Sequence, residues 1–117
     1  MKTILIVEDV EMNIDLLTQL LEDDYTLLVA RDGAQGVEMA LAHSPNLILM
    51  DVSLPVMDGH AATRKIRETI TATPIIGLSA HAMQSDINLA KAAGCNDYLT
   101  KPVNDDLLFR MLEKYLG

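Results

Sequence analysis

Residues 47–59 read LILMDVSLPVMDG. Four consecutive apolar residues lead directly into Asp51, and a proline and an Asp-Gly pair follow within eight positions. A continuous apolar run of this kind is typical of a strand that is buried on both faces. A carboxylate at the tip of such a strand costs free energy unless another group offsets its charge. The segment therefore predicts a buried parallel strand that places Asp51 at its tip for a chemical purpose.

Similar apolar runs recur along the chain and alternate with helical patterns. The predicted strands are Thr3–Val7, Tyr25–Val29, Asn46–Met50, Pro74–Leu78 and Asp97–Thr100. The predicted helices carry apolar stripes at Ile14, Leu17, Leu20 and Leu21; at Ala34, Val37 and Leu41; at Ala62, Ile66 and Ile70; at Met83, Ile87 and Ala90; and at Leu108, Met111, Leu112 and Tyr115. Asp58 and Asn104 are expected to cap the third and fifth helices, and Gly94 to end the fourth in a left-handed conformation.

This alternation, with short connections, implies parallel pairing through right-handed crossovers. The expected fold is therefore an α/β three-layer sandwich. Because the sequence has no Ser- or Pro-rich linker and no internal repeat, we expect one domain over residues 1–117.

Composition excludes several classes of function. The net charge of −8 repels nucleic-acid phosphates, so direct binding to nucleic acid is not expected. The apolar runs are far shorter than the roughly 20 residues of a membrane span, and no signal peptide is recognisable, so no membrane insertion is expected. The single cysteine, Cys95, cannot form an internal disulfide and is expected to fill space in the core. These features favour a cytoplasmic protein.

Polar side chains follow four of the predicted strands, where ligands bind in an open parallel sheet. They are Glu8 and Asp9 after the first strand, Asp51 after the third, Ser79 and His81 after the fourth, and Lys101 after the fifth. Clustered carboxylates repel one another, and Mg²⁺ relieves that repulsion through oxygen ligands. A carboxylate is also a nucleophile toward phosphorus, and an ammonium and a hydroxyl neutralise phosphoryl oxygens. The set is sufficient for phosphoryl transfer.

Four segments resemble the signature regions of response-regulator receiver domains, above all those of hybrid histidine kinases and their single-domain relatives. These are IVEDVEMN (6–13), LILMDVSLPVMDG (47–59), IIGLSAHA (75–82) and GCNDYLTKPV (94–103). They occur in the family's order and spacing across nearly the whole chain. The resemblance implies a flavodoxin-like (βα)5 fold with a parallel sheet of order 2-1-3-4-5, and a function in phosphorelay signalling.

The resemblance also implies roles at the acidic rim. Asp51 would be the phospho-acceptor, Asp9 a direct Mg²⁺ ligand, and Glu8 a second acidic residue that acts mostly through water. The backbone carbonyl of Ser53 would complete the protein's share of the metal shell. Such a chain is not an enzyme in the ordinary sense, because it catalyses only its own aspartyl phosphorylation and dephosphorylation.

Further roles follow from the same resemblance. Lys101, joined to Pro102 by a cis bond, would pair with the phosphoryl oxygens, and Ser79 would hydrogen-bond to them. Tyr98 matches the switch aromatic, whereas Ser53 and His81 match positions that tune the lifetime of the phosphoryl group. Ser79 stands where threonine is commoner, so its coupling to Tyr98 is expected to be looser.

The implied partners are a histidine kinase or a histidine phosphotransfer domain upstream and a protein target downstream. Two other functions remain open from the residues alone: a docking module that works without phosphate, and a Mg²⁺-dependent phosphatase. The phosphatase is disfavoured, because aspartate-nucleophile phosphatases generally place a second Asp where this chain has Ser53. A flavin site is weaker still, since the aromatic content is 3%. Met12, Val56 and Met57 lie near the acidic rim, and the sequence leaves open whether they contact a partner.

Overall fold

Strands and helices alternate along the whole of the described chain, which in this computed structural model comprises residues 1–81 and 83–117. Ala82, the last residue of the segment IIGLSAHA, lies outside the described residues. The elements are β1 (Thr3–Val7), α1 (Glu11–Leu21), β2 (Thr26–Ala30), α2 (Gly33–His43), β3 (Leu47–Asp51), α3 (Gly59–Arg67), β4 (Ile75–Ser79), α4 (Gln84–Ala93), β5 (Asp97–Thr100) and α5 (Asp105–Leu116).

The strands form one parallel sheet of order β2-β1-β3-β4-β5. This confirms the predicted flavodoxin-like topology. In the ladder Val7 pairs with Met50, and Asp51 pairs with Leu78. Ser79 pairs with Thr100. The carboxyl ends of β1, β3, β4 and β5 therefore meet along one edge of the sheet.

A separate apolar core lies on each face of the sheet. Successive side chains of a strand point to opposite faces, so neighbouring residues of β1 enter different cores. One core joins Ile4 and Ile6 to Leu17 of α1 and Leu112 of α5. The other joins Leu5 and Val7 to residues of α2, α3 and α4, among them Val37, Ile66 and Ala90, and includes the buried Cys95. The chain is thus the predicted three-layer sandwich.

The predicted apolar stripe of α2 was partly wrong. Leu41 is 44% exposed, and the buried face of the helix consists of Gly33, Gly36, Val37 and Ala40. The reason is close approach: a Cβ atom at Gly36 would lie 2.8 Å from Cγ1 of Val7. Small residues therefore face the sheet, and the longer leucine side chain stays outside.

Two other predicted stripe residues lie outside their helices. Met83 precedes α4 and is 70% exposed, while Ile70 follows the end of α3 and is partly buried. The predicted helix ends were right. The Asp58 carboxylate accepts a hydrogen bond from the N–H of Ala61 at 2.9 Å, Asn104 caps α5, and Gly94 has a φ of 119°.

None of the helices in the described part of the chain has the length and apolarity that crossing a membrane requires.

Candidate functional site

Three carboxylates converge at the carboxyl edge of the sheet. Glu8 and Asp9 follow β1, and Asp51 ends β3, the neighbouring strand. One oxygen from each of these side chains lies within 4.8 Å of the others. Glu8 is fully buried and Asp51 is 3% exposed, whereas Asp9 is exposed. The structure thus brings together the acidic residues that the sequence placed on separate strands.

Lys101 supplies the positive charge that allows this burial. Its Nζ lies 2.7 Å from Oε1 of Glu8 and 3.1 Å from Oδ1 of Asp51. The backbone N–H of Lys101 donates to the carbonyl oxygen of Ser79 at 2.7 Å, which fixes the residue next to β4. The Lys101–Pro102 bond is cis, as expected. An ion pair with hydrogen-bonded partners offsets much of the cost of removing these carboxylates from water.

The carboxylates differ in acidity. Burial and the neighbouring Glu8 raise the pKa of Asp51 from 3.8 to about 6. Burial acts to raise the pKa of Glu8 too, but hydrogen bonds with Lys101, Asp51 and the backbone of Val10 outweigh it and leave that pKa lowered. One lysine therefore does not balance the negative charge of the cluster, and an additional cation would relieve the repulsion.

Glu8 and Asp9 are placed for different tasks. Both oxygens of Glu8 have protein partners, because Oε1 faces Lys101 and Oε2 accepts from the N–H of Asp9 at 3.0 Å and of Val10 at 3.3 Å. Asp9 is exposed. Of the two acidic residues after β1, Asp9 is therefore the more accessible to a metal ion, in line with the roles that the sequence resemblance implies.

Of the residues predicted to switch and tune, Ser79 ends β4, His81 follows that strand and Tyr98 lies within β5. The hydroxyl of Ser79 accepts a hydrogen bond from the N–H of His81 at 3.1 Å. The hydroxyl of Tyr98 donates to the carbonyl oxygen of His81 at 2.6 Å. Ser79 and Tyr98 are thus joined through the main chain of His81, a link that the sequence reasoning missed. His81 itself is an exposed residue.

The ring of Tyr98 lies over Gly77, its partner in the β4–β5 ladder. A Cβ atom at Gly77 would lie 3.3 Å from a ring carbon of Tyr98, tighter than an ordinary contact. A glycine inside an apolar strand often marks such a close approach, so Gly77 was the available signal for the position of this ring.

Ser53 contributes through its backbone, whose N–H donates to Oδ1 of Asp51 at 3.3 Å. The loop that follows is closed by the N–H of Gly59, which donates to the carbonyl oxygen of Val52 at 2.9 Å. A Cβ atom at Gly59 would lie 2.1 Å from the carbonyl oxygen of Asp51. This second glycine, also missed from sequence, is required for the close return of the chain beside the predicted acceptor.

A groove of about 490 Å³ opens between α1 and the β5–α5 connection. Leu16, Leu17 and Leu20 line one side, and Pro102 and Val103 line the other. Glu8 and Lys101 also line the groove. The acidic site therefore continues into an apolar surface on the side of α1.

Comparison with known proteins agrees with the fold and the site. The family profile described as response regulator receiver domain matches residues 4–113. The chain belongs to this family, whose members are signalling modules of two-component phosphorelays rather than classical enzymes.

The individual relatives are similar over nearly their whole length. The chain is 34% identical to the polar-differentiation response regulator DivK of Brucella ovis, covering 99% of this chain and 97% of that protein. It is 39% identical to the receiver domain of the sensor histidine kinase PA1611 from Pseudomonas aeruginosa, solved with a magnesium ion in its active-site cleft, with a TM-score of 0.92 and coverage of 99% and 98%.

A third relative was solved with a partner. It is the receiver domain of the Saccharomyces cerevisiae response regulator Ssk1, in complex with the histidine phosphotransfer protein Ypd1. The chain is 31% identical to it, with a TM-score of 0.92 and coverage of 97% and 88%.

Proposed function

We propose that the chain is a one-domain phosphorelay receiver over residues 1–117 that accepts a phosphoryl group on Asp51 and works in the cytoplasm. The observation that carries the proposal is the position of Lys101 Nζ, 3.1 Å from Oδ1 of Asp51. Glu8 and Asp9 each place a carboxylate oxygen within 4.8 Å of an oxygen of Asp51. A nucleophile, a neutralising ammonium and a site for a cation are thus present at one edge.

The transfer step requires a nucleophile, a leaving group and groups that neutralise the phosphoryl oxygens. An oxygen of Asp51 attacks the phosphorus of a phosphohistidine, an oxygen–phosphorus bond forms, and the phosphorus–nitrogen bond breaks. The imidazole leaves with the electron pair of that bond. Lys101 is placed to neutralise the phosphoryl oxygens, and Ser79, which ends the adjacent strand, offers them a hydroxyl donor. In the same site, attack by water on the aspartyl phosphate returns the free carboxylate and inorganic phosphate.

Hard oxygen ligands make this cluster suitable for Mg²⁺. Asp9 and Asp51 would bind it directly, with the backbone carbonyl of Ser53, and Glu8 would act through water. When bound, the ion supplies positive charge against the carboxylates and the incoming phosphoryl group. The magnesium ion in the active-site cleft of the PA1611 receiver supports a magnesium site in this chain.

The upstream partner is a histidine kinase or a histidine phosphotransfer domain, as the complex of the related Ssk1 receiver with Ypd1 supports. The apolar groove beside α1 opens next to Glu8 and Lys101, where such a partner would present its histidine. After transfer, Ser79 would turn to the phosphoryl group and release its contact with the N–H of His81. Tyr98 would follow. The conformational equilibrium of the α4–β5–α5 face would then shift toward the form that binds a downstream protein.

The test is phosphorylation by acetyl phosphate with Mg²⁺, followed by intact-mass and peptide mass spectrometry. We expect one acid-stable, base-labile phosphoryl group on Asp51, and none on Asp51→Asn. Asp58→Asn is the matched control: it changes a nearby carboxylate, and Asn caps a helix as well as Asp does. That control should be labelled like the wild type. Labelling of Asp51→Asn at the wild-type rate contradicts the proposal.

A further inference from the structure

The first residue of α2 lies directly against the main chain of the β3–α3 loop. A Cβ atom at Gly33 would lie 1.8 Å from the carbonyl oxygen of Met57 and 2.7 Å from its carbonyl carbon. The obstacle is backbone, which has no rotamer to which it could turn away. Only glycine therefore fits at position 33 while the loop keeps its place, because glycine lets two stretches of backbone approach closely.

The helix side of this contact is fixed. Asp32 caps α2, because its side chain accepts a hydrogen bond from the N–H of Gln35 at 2.7 Å. One turn into the helix, a Cβ atom at Gly36 would lie 2.8 Å from Cγ1 of Val7 in β1. The first turn of α2 is thus held against the sheet, and an enlarged residue at position 33 would displace the loop instead of the helix.

The loop itself is tied at both of its ends. The N–H of Val52 donates to the carbonyl oxygen of Leu78 at 2.9 Å, next to the end of the β3–β4 ladder. The N–H of Gly59 donates to the carbonyl oxygen of Val52 at 2.9 Å, which closes the loop. A displacement of Met57 therefore has to be absorbed between Val52 and Gly59, the segment that contains Ser53.

The middle of this segment is stiff. The pyrrolidine ring of Pro55 restricts its own φ. The N–H of Met57 donates to the carbonyl oxygen of Pro55 at 2.7 Å, which closes a tight turn around Val56. Val56 has a φ of 68°, which a β-branched residue rarely adopts. Since this turn has little freedom left, a displacement of Met57 is passed on toward Ser53.

We propose that Gly33 is a positioning residue for the metal site: it lets the loop lie against α2 and thereby places the backbone carbonyl of Ser53 for Mg²⁺. This inference rests on the proposed function, which assigns that carbonyl to the metal shell. Mg²⁺ requires a nearly octahedral set of oxygens at about 2.0–2.1 Å, so a displaced ligand is lost from the shell. Gly33 itself offers no ligand and acts only through the position of the loop.

The test compares two substitutions on the buried face of α2. Gly33→Ala adds a methyl group against Met57. Val37→Ala, one turn later, removes apolar contacts in the core and adds no atom beside the loop. It is the control for general destabilisation, since shortening a buried side chain lowers stability. Dissociation constants for Mg²⁺ alone are measured from amide chemical shifts, and urea midpoints are measured in EDTA.

A second pair of variants keeps the test decisive if Gly33→Ala does not fold. Val56→Gly places at the positive φ the residue that adopts it most readily, so the loop keeps its position and gains freedom to move. The double variant Gly33→Ala/Val56→Gly should then fold with a displaced loop. Val56→Gly alone is its matched control.

We expect the Kd for Mg²⁺ to rise about tenfold in Gly33→Ala and in the double variant, as is typical when the support of a metal ligand is removed. Val37→Ala and Val56→Gly should bind Mg²⁺ with the wild-type Kd, although Val37→Ala should lower the urea midpoint. Before Mg²⁺ is added, the amide resonance of Ser53 should already be shifted in Gly33→Ala and unshifted in Val37→Ala.

Wild-type affinity in Gly33→Ala, or in the double variant where the single one is unfolded, would overturn the inference. An equal loss of affinity in the two controls would overturn it as well, because the position of Ser53 would then not depend on Gly33. A wild-type chain that neither binds Mg²⁺ nor is labelled by acetyl phosphate would instead contradict the proposed function, and this inference with it.

Discussion

The ammonium group of Lys101 lies 2.7 Å from Oε1 of Glu8, a residue with no exposed surface. The same nitrogen is 3.1 Å from Asp51. The lysine that is proposed to meet the phosphoryl group therefore also neutralises a buried carboxylate while no phosphate is present. Removing it should affect folding as well as chemistry.

Lys101→Met should lower the free energy of unfolding at pH 7 by about 2–4 kcal/mol, because it leaves Glu8 and Asp51 buried without their cation. Urea unfolding followed by circular dichroism measures the change. Lys65→Met is the control, since Lys65 and Glu68 form an exposed pair 3.8 Å apart and should contribute almost nothing. Equal losses in both variants would show that Lys101 does not stabilise the buried carboxylates.

Without divalent cations, stability should depend on the protonation of Asp51. Because the pKa of this buried carboxyl is raised from 3.8 to about 6, the folded state binds more protons than the unfolded state between these values. The free energy of unfolding should therefore fall as pH rises from about 4 to about 6, by roughly 2 kcal/mol.

Urea unfolding in EDTA across this pH range tests the dependence, with Asp51→Asn as the comparison. The variant has no carboxyl to titrate at this position, so its stability should lose that part of the slope. Identical slopes for the variant and the wild type would assign the dependence to other groups.

Mg²⁺ should stabilise the folded protein, because a ligand that binds only the folded state raises the free energy of unfolding by RT ln(1 + [L]/Kd). The thermal midpoint should rise with Mg²⁺ concentration in the wild type. Asp9→Asn should lose most of this rise, whereas Asp15→Asn, an exposed change on α1, should keep it. Retention of the full rise in Asp9→Asn would place the ion elsewhere.

Tyr98→Phe should weaken the connection from the acceptor site to α4. The substitution removes the donor to the carbonyl oxygen of His81 and should cost about 1 kcal/mol or less, since the hydroxyl is near solvent. Labelling by acetyl phosphate should be unchanged. Amide chemical shifts of α4 should respond less to beryllofluoride, an analogue of the phosphoryl group, than they do in the wild type.

Tyr115→Phe is the control for that measurement, because it removes another tyrosine hydroxyl, which donates to Asp97 at 2.9 Å. Its α4 response should match that of the wild type. If Tyr98→Phe responds as fully as the wild type, the hydrogen bond to His81 plays no part in the switch.

Much of the fold and of the acidic site could be predicted from the sequence, because each buried strand is a short continuous run of apolar residues. The apolar run before Asp51 defines β3, and parallel pairing then brings the residues at the tips of β1 and β5 to the same edge. The observed β3 and β4 each begin and end one residue later than predicted. Asp51 and Ser79 therefore close their strands instead of following them.

What the sequence did not predict depends on distances between elements or on main-chain atoms. The buried face of α2 is determined by how closely Gly36 approaches Val7. The spacing of apolar residues along the helix does not reveal that distance. The link between Ser79 and Tyr98 uses the N–H and carbonyl of His81, groups that every residue type except proline offers. Val56 lies in the β3–α3 loop with a φ of 68°, and a valine in the sequence gives no signal for this conformation because it rarely adopts it.

The main-chain link through His81 also bears on how this domain can change over evolutionary time. A connection made by backbone atoms is indifferent to the identity of the residue that provides them. A substitution at position 81 can therefore change the side chain beside the acidic cluster while the two hydrogen bonds that join Ser79 to Tyr98 are kept. Proline is the exception, since it has no N–H to give.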